Sequence, residues 1–189
     1  AYQDVARAIL VLVRLLHLLI EALLYFFVRD RIVFEVLAQH GAGQHVFALA
    51  PHGEAHVLGR AQIRLLPPNI PATRATFAAN LETAVTCAWD AEANLGEKAV
   101  VLGAGVVGLL TAWLLGRAGA DVTLVERSAR RRAIAEAFLA RVAPLARVIA
   151  APEADGNVDI VVEATGSPEM LDHVIAGCRP EGRVVVASF

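Results

Sequence analysis

The stretch that decides the fold is residues 98–126, KAVVLGAGVVGLLTAWLLGRAGADVTLVE. It begins with an apolar run at residues 99–102, which has the length of a buried strand and leads directly into the turn GAGVVG. The apolar residues after the turn recur with a helical period as far as Leu115, and a second apolar run ends at an acid. The stretch therefore predicts a strand, a tight turn, a helix and a second strand.

The glycines of this turn match the fingerprint of a dinucleotide-binding unit. Gly103 permits the tight turn, Gly105 lets a pyrophosphate approach the backbone, and Gly108 lets the helix pack close to the strand. Phosphates are favoured at the helix N-terminus, because its N–H groups are unpaired and the helix dipole is positive there. Glu126 stands where the fingerprint has an acid that binds an adenosine ribose, about 20 residues after the glycines. The pattern favours dinucleotide binding over a cofactor-free unit of the same shape.

Composition sets bounds on the rest of the chain. The 189 residues are 57% hydrophobic and 19% charged, which is enough for one large or two small domains. A net charge of −2 does not suggest a nucleic-acid-binding surface. Cys87 and Cys178 lie far apart without a CxxC pair, which argues against a disulfide framework or a zinc ribbon. We expect a reducing, cytoplasmic setting.

An apolar segment at residues 9–28 is long enough to cross a bilayer but carries Arg14, His17 and Glu21. Each charge at the centre of a membrane helix costs about 2.5–3.5 kcal/mol of insertion free energy, whereas each Leu, Ile, Phe or Val contributes only about 0.3–0.6 kcal/mol in favour. The total free energy of insertion is therefore near zero. The polar residues share one helical face. Three interpretations stay open: an element packed in the protein's own core, a helix that binds a partner or a membrane surface, and a true span.

Residues 44–66 change to short runs separated by turn residues, which predicts small antiparallel strands. His52, Glu54 and His56 alternate, so on a strand they would share a face that either holds a metal or is simply polar. A helical run at residues 72–93 then leads to a boundary near residues 94–96. We expect a reduced substrate-side region at residues 1–94 and a dinucleotide-binding domain at residues 95–189.

After Glu126 the sequence alternates between helical and strand patterns. We predict a helix at 128–141, strands at 147–151 and 158–164, a helix at 168–178, a turn at 180–182 and a strand at 184–187. This alternation predicts a parallel, doubly wound sheet of order 3-2-1-4-5. The ligand would bind where residues 103–108 and 164–166 converge. Arg130, Arg131 and Arg132 crowd the start of the first helix, where they either face an anion or base or form a solvated surface.

Several segments together resemble a known family. GEKAVVLGAGVVG, VTLVERSARRR, VDIVVEATGSPEML and EGRVVVAS, with Glu82-Thr83-Ala84 before them, resemble the cofactor domain of medium-chain dehydrogenases/reductases, the zinc-alcohol-dehydrogenase-like superfamily. HVFALAPHGEAHVLGRAQIRLLP resembles the later strands of that superfamily's GroES-like substrate domain. The resemblance implies a Rossmann-type domain preceded by a small, partly β GroES-like remnant. It also implies hydride transfer between NAD(P) and an alcohol, aldehyde, ketone or activated alkene.

The resemblance assigns roles to individual residues. Val107 would lie behind the nicotinamide ring with Thr83 near it, and Arg131 would reach the adenosine ribose. Ala164, Thr165 and Gly166 would line the ribose channel. No catalytic residue is assigned, and the cofactor-binding residues that we expect are Gly103, Gly105, Val107, Gly108, Glu126, Arg127, Arg131, Ala164, Thr165, Gly166 and Thr83.

The chain departs from the zinc-dependent members of that superfamily. Those members use an early cysteine, a Gly-His-Glu turn and a third ligand shortly before the Thr-Ala helix, whereas here no cysteine precedes Cys87 and no Gly-His-Glu occurs. We therefore expect no zinc. We expect NAD rather than NADP, because a carboxylate at Glu126 repels a 2′-phosphate. Arg127 and its neighbours at 130–132 are the counter-argument, since arginines could bind that phosphate.

The sequence is compatible with two functions. The first is a nicotinamide-dependent oxidoreductase that acts on a small alcohol or carbonyl compound and is zinc-independent or truncated. The second is a dinucleotide-binding module without turnover that docks a partner or membrane through residues 9–28. The sequence ends where the superfamily's next loop and sixth strand would begin, so we expect weak turnover by this chain alone. The fifth strand would then be an open edge, which favours a homo-oligomer. We expect no nucleic-acid partner and no membrane insertion.

Overall fold

The computed structural model of the protein describes residues 33–36, 44–51, 53, 55–152 and 157–187. The chain divides into two compact units, residues 1–82 and residues 83–189. The predicted boundary near residues 94–96 stays a prediction. The interpretations of the apolar segment at residues 9–28 fall outside the described residues. No helix within the described part combines the length and the apolar character that crossing a membrane requires.

The first unit contains a small antiparallel sheet of order β1-β2-β3. Its strands are β1 (Val33–Val36), β2 (Gln44–Ala48) and β3 (Ile63–Leu65). Val46, Phe47 and Ala48 of β2 are buried. The small antiparallel strands predicted within residues 44–66 form only in part, because residues 55–59 have no regular structure and a 3₁₀ turn follows at Arg60–Gln62. His56 therefore lies on a loop, while His52 and Glu54 lie outside the described residues.

Two helices replace the single helical run predicted for residues 72–93. They are α1 (Ala72–Ala75) and α2 (Ala78–Asp90). At the break, the Phe77 N–H donates to the Arg74 carbonyl at 3.1 Å, and the Thr76 hydroxyl donates to the Thr73 carbonyl at 2.8 Å. A threonine side chain that bonds a nearby carbonyl gives the backbone an alternative to the helical ladder, so the helix restarts.

The second unit is a five-stranded parallel sheet with helices between the strands. Its elements are β4 (Lys98–Leu102), α3 (Val106–Ala118), β5 (Asp121–Val125), α4 (Ala129–Val142), β6 (Arg147–Ile149), β7 (Val158–Glu163), α5 (Met170–Gly177) and β8 (Cys178–Val186). The strand order is β6-β5-β4-β7-β8. With β4 counted as the first strand this is the order 3-2-1-4-5, so the prediction is confirmed. Strand order reverses beside β4, which is the position where ligands bind in such sheets.

Helices pack on both faces of this sheet. One buried cluster joins Leu115 of α3 and Leu139 of α4 to strand residues such as Val101, and its centre is fully buried. A smaller cluster on the other face joins Val174 of α5 to Val161 and its neighbours. Because alternate strand residues enter opposite clusters, the strands are apolar on both faces, as a parallel sheet requires.

The last strand differs from its prediction. β8 begins at Cys178 rather than at residue 184, and the predicted turn at 180–182 forms an irregularity inside it. Val158 pairs with Cys178, but Ile160 pairs with Arg183, so extra residues on β8 bulge out of the ladder. Glu181 has a φ of 64°, which is uncommon for a residue with a side chain. The turn residues thus produce a bulge while the strand continues.

Candidate dinucleotide-binding site

The glycine turn lies between the end of β4 and the start of α3. Gly103 has a φ of 96°, and its N–H donates to the Val125 carbonyl at 2.8 Å. A Cβ at Gly108 would lie 1.9 Å from the Gly103 carbonyl oxygen, so no side chain fits there. These two positions confirm the tight turn and the close helix–strand approach that the fingerprint predicts.

Gly105 differs from both neighbours in its surroundings. It is the N-cap of α3, and a Cβ built on it would meet no atom within 4 Å. Its backbone is extended, with φ −72° and ψ 179°, so a left-handed conformation is not the reason for glycine here. Because Gly105 has no side chain, the space directly in front of the helix N-terminus is open. A pyrophosphate placed there would face the unpaired N–H groups of the first helical turn.

Glu126 follows β5 and is only 4% exposed. Its carboxylate accepts the Ala104 N–H at 3.1 Å and the Ser128 N–H at 2.7 Å, and Arg131 Nε lies 3.0 Å from it. Burial raises the pKa of Glu126, but the hydrogen bonds from Ser128 and Ala104 and the charge of Arg131 outweigh burial and hold the pKa below its usual value. The charged carboxylate therefore ties the glycine turn to the start of α4.

The arginines after β5 separate into two kinds. Arg131 faces an anion, as one interpretation of the sequence expected, and this anion is the Glu126 carboxylate. Arg132 Nη1 donates to the carbonyls of Glu126 and Arg127 at 2.8 and 2.7 Å, so it stabilises the connection from β5 to α4. The side chains of Arg127 and Arg130 are exposed. These two cations lie at the end of β5 where a ligand could meet them.

A second wall of the site comes from the end of β7. The Ala164 N–H donates to the Leu102 carbonyl at 2.9 Å, which brings residues 164–166 beside the glycine turn. A Cβ at Gly103 would lie 2.9 Å from the Ala164 carbonyl oxygen. Thr165 and Gly166 are exposed. The carboxyl ends of β4 and β7 thus converge as the sequence predicted.

The remaining predicted residues lie on helices of the same unit. Val107 is half-buried in the first turn of α3, and Thr83 is half-buried on α2. Their places beside a nicotinamide ring stay predictions. Sequence reasoning missed Glu163, the last residue of β7, which is 3% exposed and accepts the Thr165 N–H at 2.6 Å. A signal was present, because Glu163-Ala164-Thr165 repeats the spacing of Glu126-Arg127-Ser128 at the end of an apolar strand.

Within the described ranges, no group of three or more His, Cys, Asp or Glu side chains lies close enough together to hold a metal ion. The cluster of His52, Glu54 and His56 is not tested by this, because two of its members fall outside those ranges.

Comparison with known proteins identifies the family. A sequence model described as the glucose dehydrogenase C-terminus matches residues 73–188, which is more than half of the chain. The chain belongs to this family. It is therefore a member of the medium-chain dehydrogenase/reductase superfamily, and the resemblance found in the sequence is confirmed. The match includes both walls of the site, from the glycine turn to the end of β8.

Several dehydrogenases are similar to parts of this chain. (R,R)-butanediol dehydrogenase of Bacillus subtilis is 36% identical over 100 residues, which are 50% of this chain and 29% of that protein. D-amino acid dehydrogenase of Vibrio vulnificus is 67% identical over 33 residues, 18% of this chain and 8% of that protein. The solved structure of alcohol dehydrogenase TADH from Thermus sp. ATN1 superposes with a TM-score of 0.57 at 28% identity, covering 66% of this chain and 39% of that one. The chain thus spans less than half the length of these three proteins.

Proposed function

We propose that this chain forms the dinucleotide-binding part of a nicotinamide-dependent oxidoreductase that interconverts a small alcohol and the corresponding carbonyl compound. Membership of the superfamily supports the oxidoreductase assignment, and the names of the butanediol and alcohol dehydrogenases support the substrate class. When bound, the nicotinamide supplies the hydride chemistry, and the protein supplies position and electrostatics.

One observation carries the proposal. Open space in front of Gly105 lies at the N-terminus of α3 and at the point where the strand order reverses. The adjoining glycine turn is bonded to Glu126, after β5, through the Ala104 N–H, and it lies against Ala164, after β7. A cofactor whose pyrophosphate occupied this space would extend its adenosine half toward Glu126, and its other half toward β7. Isothermal titration with NADH and NADPH tests the proposal, and a chain that binds neither cofactor contradicts it.

We propose NAD(H) as the cofactor rather than NADP(H). The buried, charged carboxylate of Glu126 repels a 2′-phosphate, and losing a charged hydrogen bond typically costs about 1.5–3 kcal/mol. Arg127 and Arg130 oppose this preference, because their exposed guanidinium groups could bind the same phosphate. Glu126→Ala is expected to weaken NADH binding and to reduce the preference for NADH over NADPH. Tighter binding of NADPH than NADH by the wild-type chain would overturn the assignment.

We further propose that this chain binds no stoichiometric catalytic zinc. The support is the sequence, which has no cysteine before Cys87 and no Gly-His-Glu turn, so the ligand set of the zinc-dependent members is incomplete. Elemental analysis after chelation and dialysis measures this directly. About one tightly bound zinc per chain would contradict the proposal. His52→Ala and His56→Ala would then show whether those histidines hold it.

Turnover separates this proposal from a dinucleotide-binding module that does no chemistry. Both bind the cofactor, so a binding measurement cannot distinguish them. The decisive assay follows NADH oxidation with a panel of aldehydes, ketones, quinones and enones. Cofactor-dependent turnover supports the oxidoreductase, whereas binding without any turnover in the whole protein favours the module.

A further inference from the structure

The last residue of β7 is an acid in an apolar setting. Glu163 is 3% exposed, and its partners in the sheet register are Leu102 of β4 and Val186 of β8. Burying a carboxylate is costly unless hydrogen bonds compensate for the lost water. Hydrogen bonds must therefore compensate for the burial of the Glu163 carboxylate.

The Glu163 carboxylate bonds the loop that follows it. Its Oε1 atom accepts the Thr165 backbone N–H at 2.6 Å and also the Thr165 hydroxyl. The hydroxyl oxygen in turn accepts the Ser167 N–H at 3.1 Å. This chain of hydrogen bonds ties residues 164–167 to the end of β7.

The loop that is fixed in this way packs on the glycine turn. A Cβ at Gly103 would lie 3.1 Å from Thr165 Cγ2, and a Cβ at Gly108 would lie 3.5 Å from the Ala164 Cβ. Thr165 therefore lies close beside the turn that would hold the pyrophosphate, without room for a side chain at Gly103. A displacement of Thr165 would change the shape of the crevice on the β7 side.

Glu126 has the same arrangement on the opposite side of β4. Glu126 directly follows β5 and Glu163 ends β7, and each accepts the backbone N–H of the hydroxyl residue two positions later, Ser128 or Thr165. In the dinucleotide-binding fold the adenosine half lies on the side of the second strand, which is β5 here. The β7 side is then left for the nicotinamide half.

We propose that Glu163 is a positioning residue for the nicotinamide half of the cofactor, and that it acts by holding Thr165 against the glycine turn. The inference rests on the proposed dinucleotide binding. It assigns Glu163 an effect on one half of the ligand only, because residues 103–108 and Glu126 hold the adenosine half without it.

The test compares NADH with AMP, which lacks the nicotinamide half, by titrating the 189-residue chain with each ligand. Glu163→Leu removes the acceptor and is expected to weaken NADH binding about tenfold, with AMP binding changed by about twofold or less. Glu163→Gln keeps an oxygen that accepts both Thr165 donors, so it is expected to restore most of the NADH affinity. Equal losses for the two ligands, no loss for NADH, or a Gln variant as weak as the Leu variant would each overturn the proposal.

A second variant keeps the inference testable if Glu163→Leu does not fold. Thr165→Val removes the hydroxyl but keeps the shape and the backbone N–H. We expect it to weaken NADH binding less than Glu163→Leu does, with AMP binding unchanged, and we expect Thr165→Ser to bind NADH almost as wild type does. No selective loss in Thr165→Val would contradict the proposal. If the wild-type chain binds neither NADH nor NADPH, the proposed function itself is wrong, and that outcome is distinct from a variant that binds both ligands normally.

Discussion

Gly105 and Gly108 occupy the same turn for different reasons. Space in front of Gly105 is empty, so Gly105→Ala adds a methyl group where the pyrophosphate would lie. We expect NADH affinity to fall about tenfold, while the free energy of unfolding changes by about 0.5 kcal/mol or less. Titration and denaturant unfolding of the same preparation measure both quantities.

Gly108→Ala is the matched control. Its Cβ would lie 1.9 Å from the Gly103 carbonyl oxygen, so strain is expected to lower the free energy of unfolding by about 1–3 kcal/mol. A Gly105 variant that destabilised the chain as much as the Gly108 variant would show that the space in front of Gly105 is not open.

Thr111 on α3 is fully buried, and among the described residues its hydroxyl oxygen has no hydrogen-bond partner. Thr111→Val keeps the shape and removes the unsatisfied group, so we expect the free energy of unfolding to rise by about 1 kcal/mol. Thr111→Ser keeps the hydroxyl, loses the methyl group, and is expected to destabilise. Chemical denaturation of the three proteins measures their free energies of unfolding. A Val variant with a lower free energy of unfolding than wild type would contradict the prediction.

The sequence predicted those residues of the site whose type is required by the backbone geometry. Gly103 and Gly108 stand in the sequence because no other residue fits the turn. The partners of Glu126 were not predictable, because an acid at a strand end can equally bind a ribose or the protein's own N–H groups. Glu163 was missed although its spacing to Thr165 repeats that of Glu126 to Ser128, because an acid after an apolar run does not show by itself which polar groups it will bond.

At the scale of elements, the positions of β4, β5 and β7 followed from apolar runs, which end where the strands end. The break between α1 and α2 did not follow, because a helical period of apolar residues is compatible with one helix or two. Here the hydrogen bond from the Thr76 hydroxyl to the Thr73 carbonyl marks the break. The sequence did not predict the bulge in β8 either. Pro180, Glu181 and Gly182 are typical of a turn, and such a turn can connect two elements or interrupt a single strand.

Arg183 connects β8 to the segment before β4. Its guanidinium donates to the Glu92 carbonyl at 2.6 Å and pairs with the Glu97 carboxylate. The hydrogen bond from Arg183, followed by that from the Asn94 N–H, holds the pKa of Glu97 below its usual value. Because the folded pKa is the lower one, this contribution is present above the unfolded pKa of about 4.3 and is lost as the pH falls through the folded pKa.

Arg183→Leu should therefore lower the thermal unfolding midpoint most at neutral pH, and the difference from wild type should shrink as the pH falls below about 4. Calorimetry over that pH range measures it. Arg141→Leu, which changes an exposed arginine on α4, serves as the control. A difference that does not depend on pH would show that the Glu97 contact contributes little.

At the scale of the whole molecule, the order of the parallel sheet was predictable because right-handed crossovers leave few alternatives once the strands are placed. The first unit was less predictable. Its strands are short and its loops long, and nothing local distinguishes a strand at residues 54–59 from an extended loop. Val57 is completely exposed there, so an apolar residue in an alternating pattern was a misleading signal.

Self-association through β8 is the prediction at this scale. Within the described sheet, β8 has a neighbouring strand on one side only, and Val184 and Val186 are each 38% exposed. The Ala187 N–H donates inward to the Glu163 carbonyl, so the Val186 N–H points away from β7. We expect the 189-residue chain to form dimers with rising concentration, and Val186→Pro to shift it toward monomer by removing an outward donor.

Sedimentation measures the dimerisation, and the thermal midpoint of Val186→Pro shows whether β8 still pairs with β7. A wild-type chain that stays monomeric at every concentration tested, or a Pro variant that dimerises equally well, would contradict the prediction.

The two strand-end acids have a consequence for amide hydrogen exchange. Glu126 and Glu163 bond the N–H groups of Ala104, Ser128 and Thr165 before any ligand is present. These amides lie in connections, where exchange with solvent is usually fast, but a hydrogen-bonded amide exchanges only when its bond opens. Slow exchange at these three positions in the ligand-free protein would mean that both walls of the crevice are already ordered. Cofactor would then bind with little further loss of chain entropy.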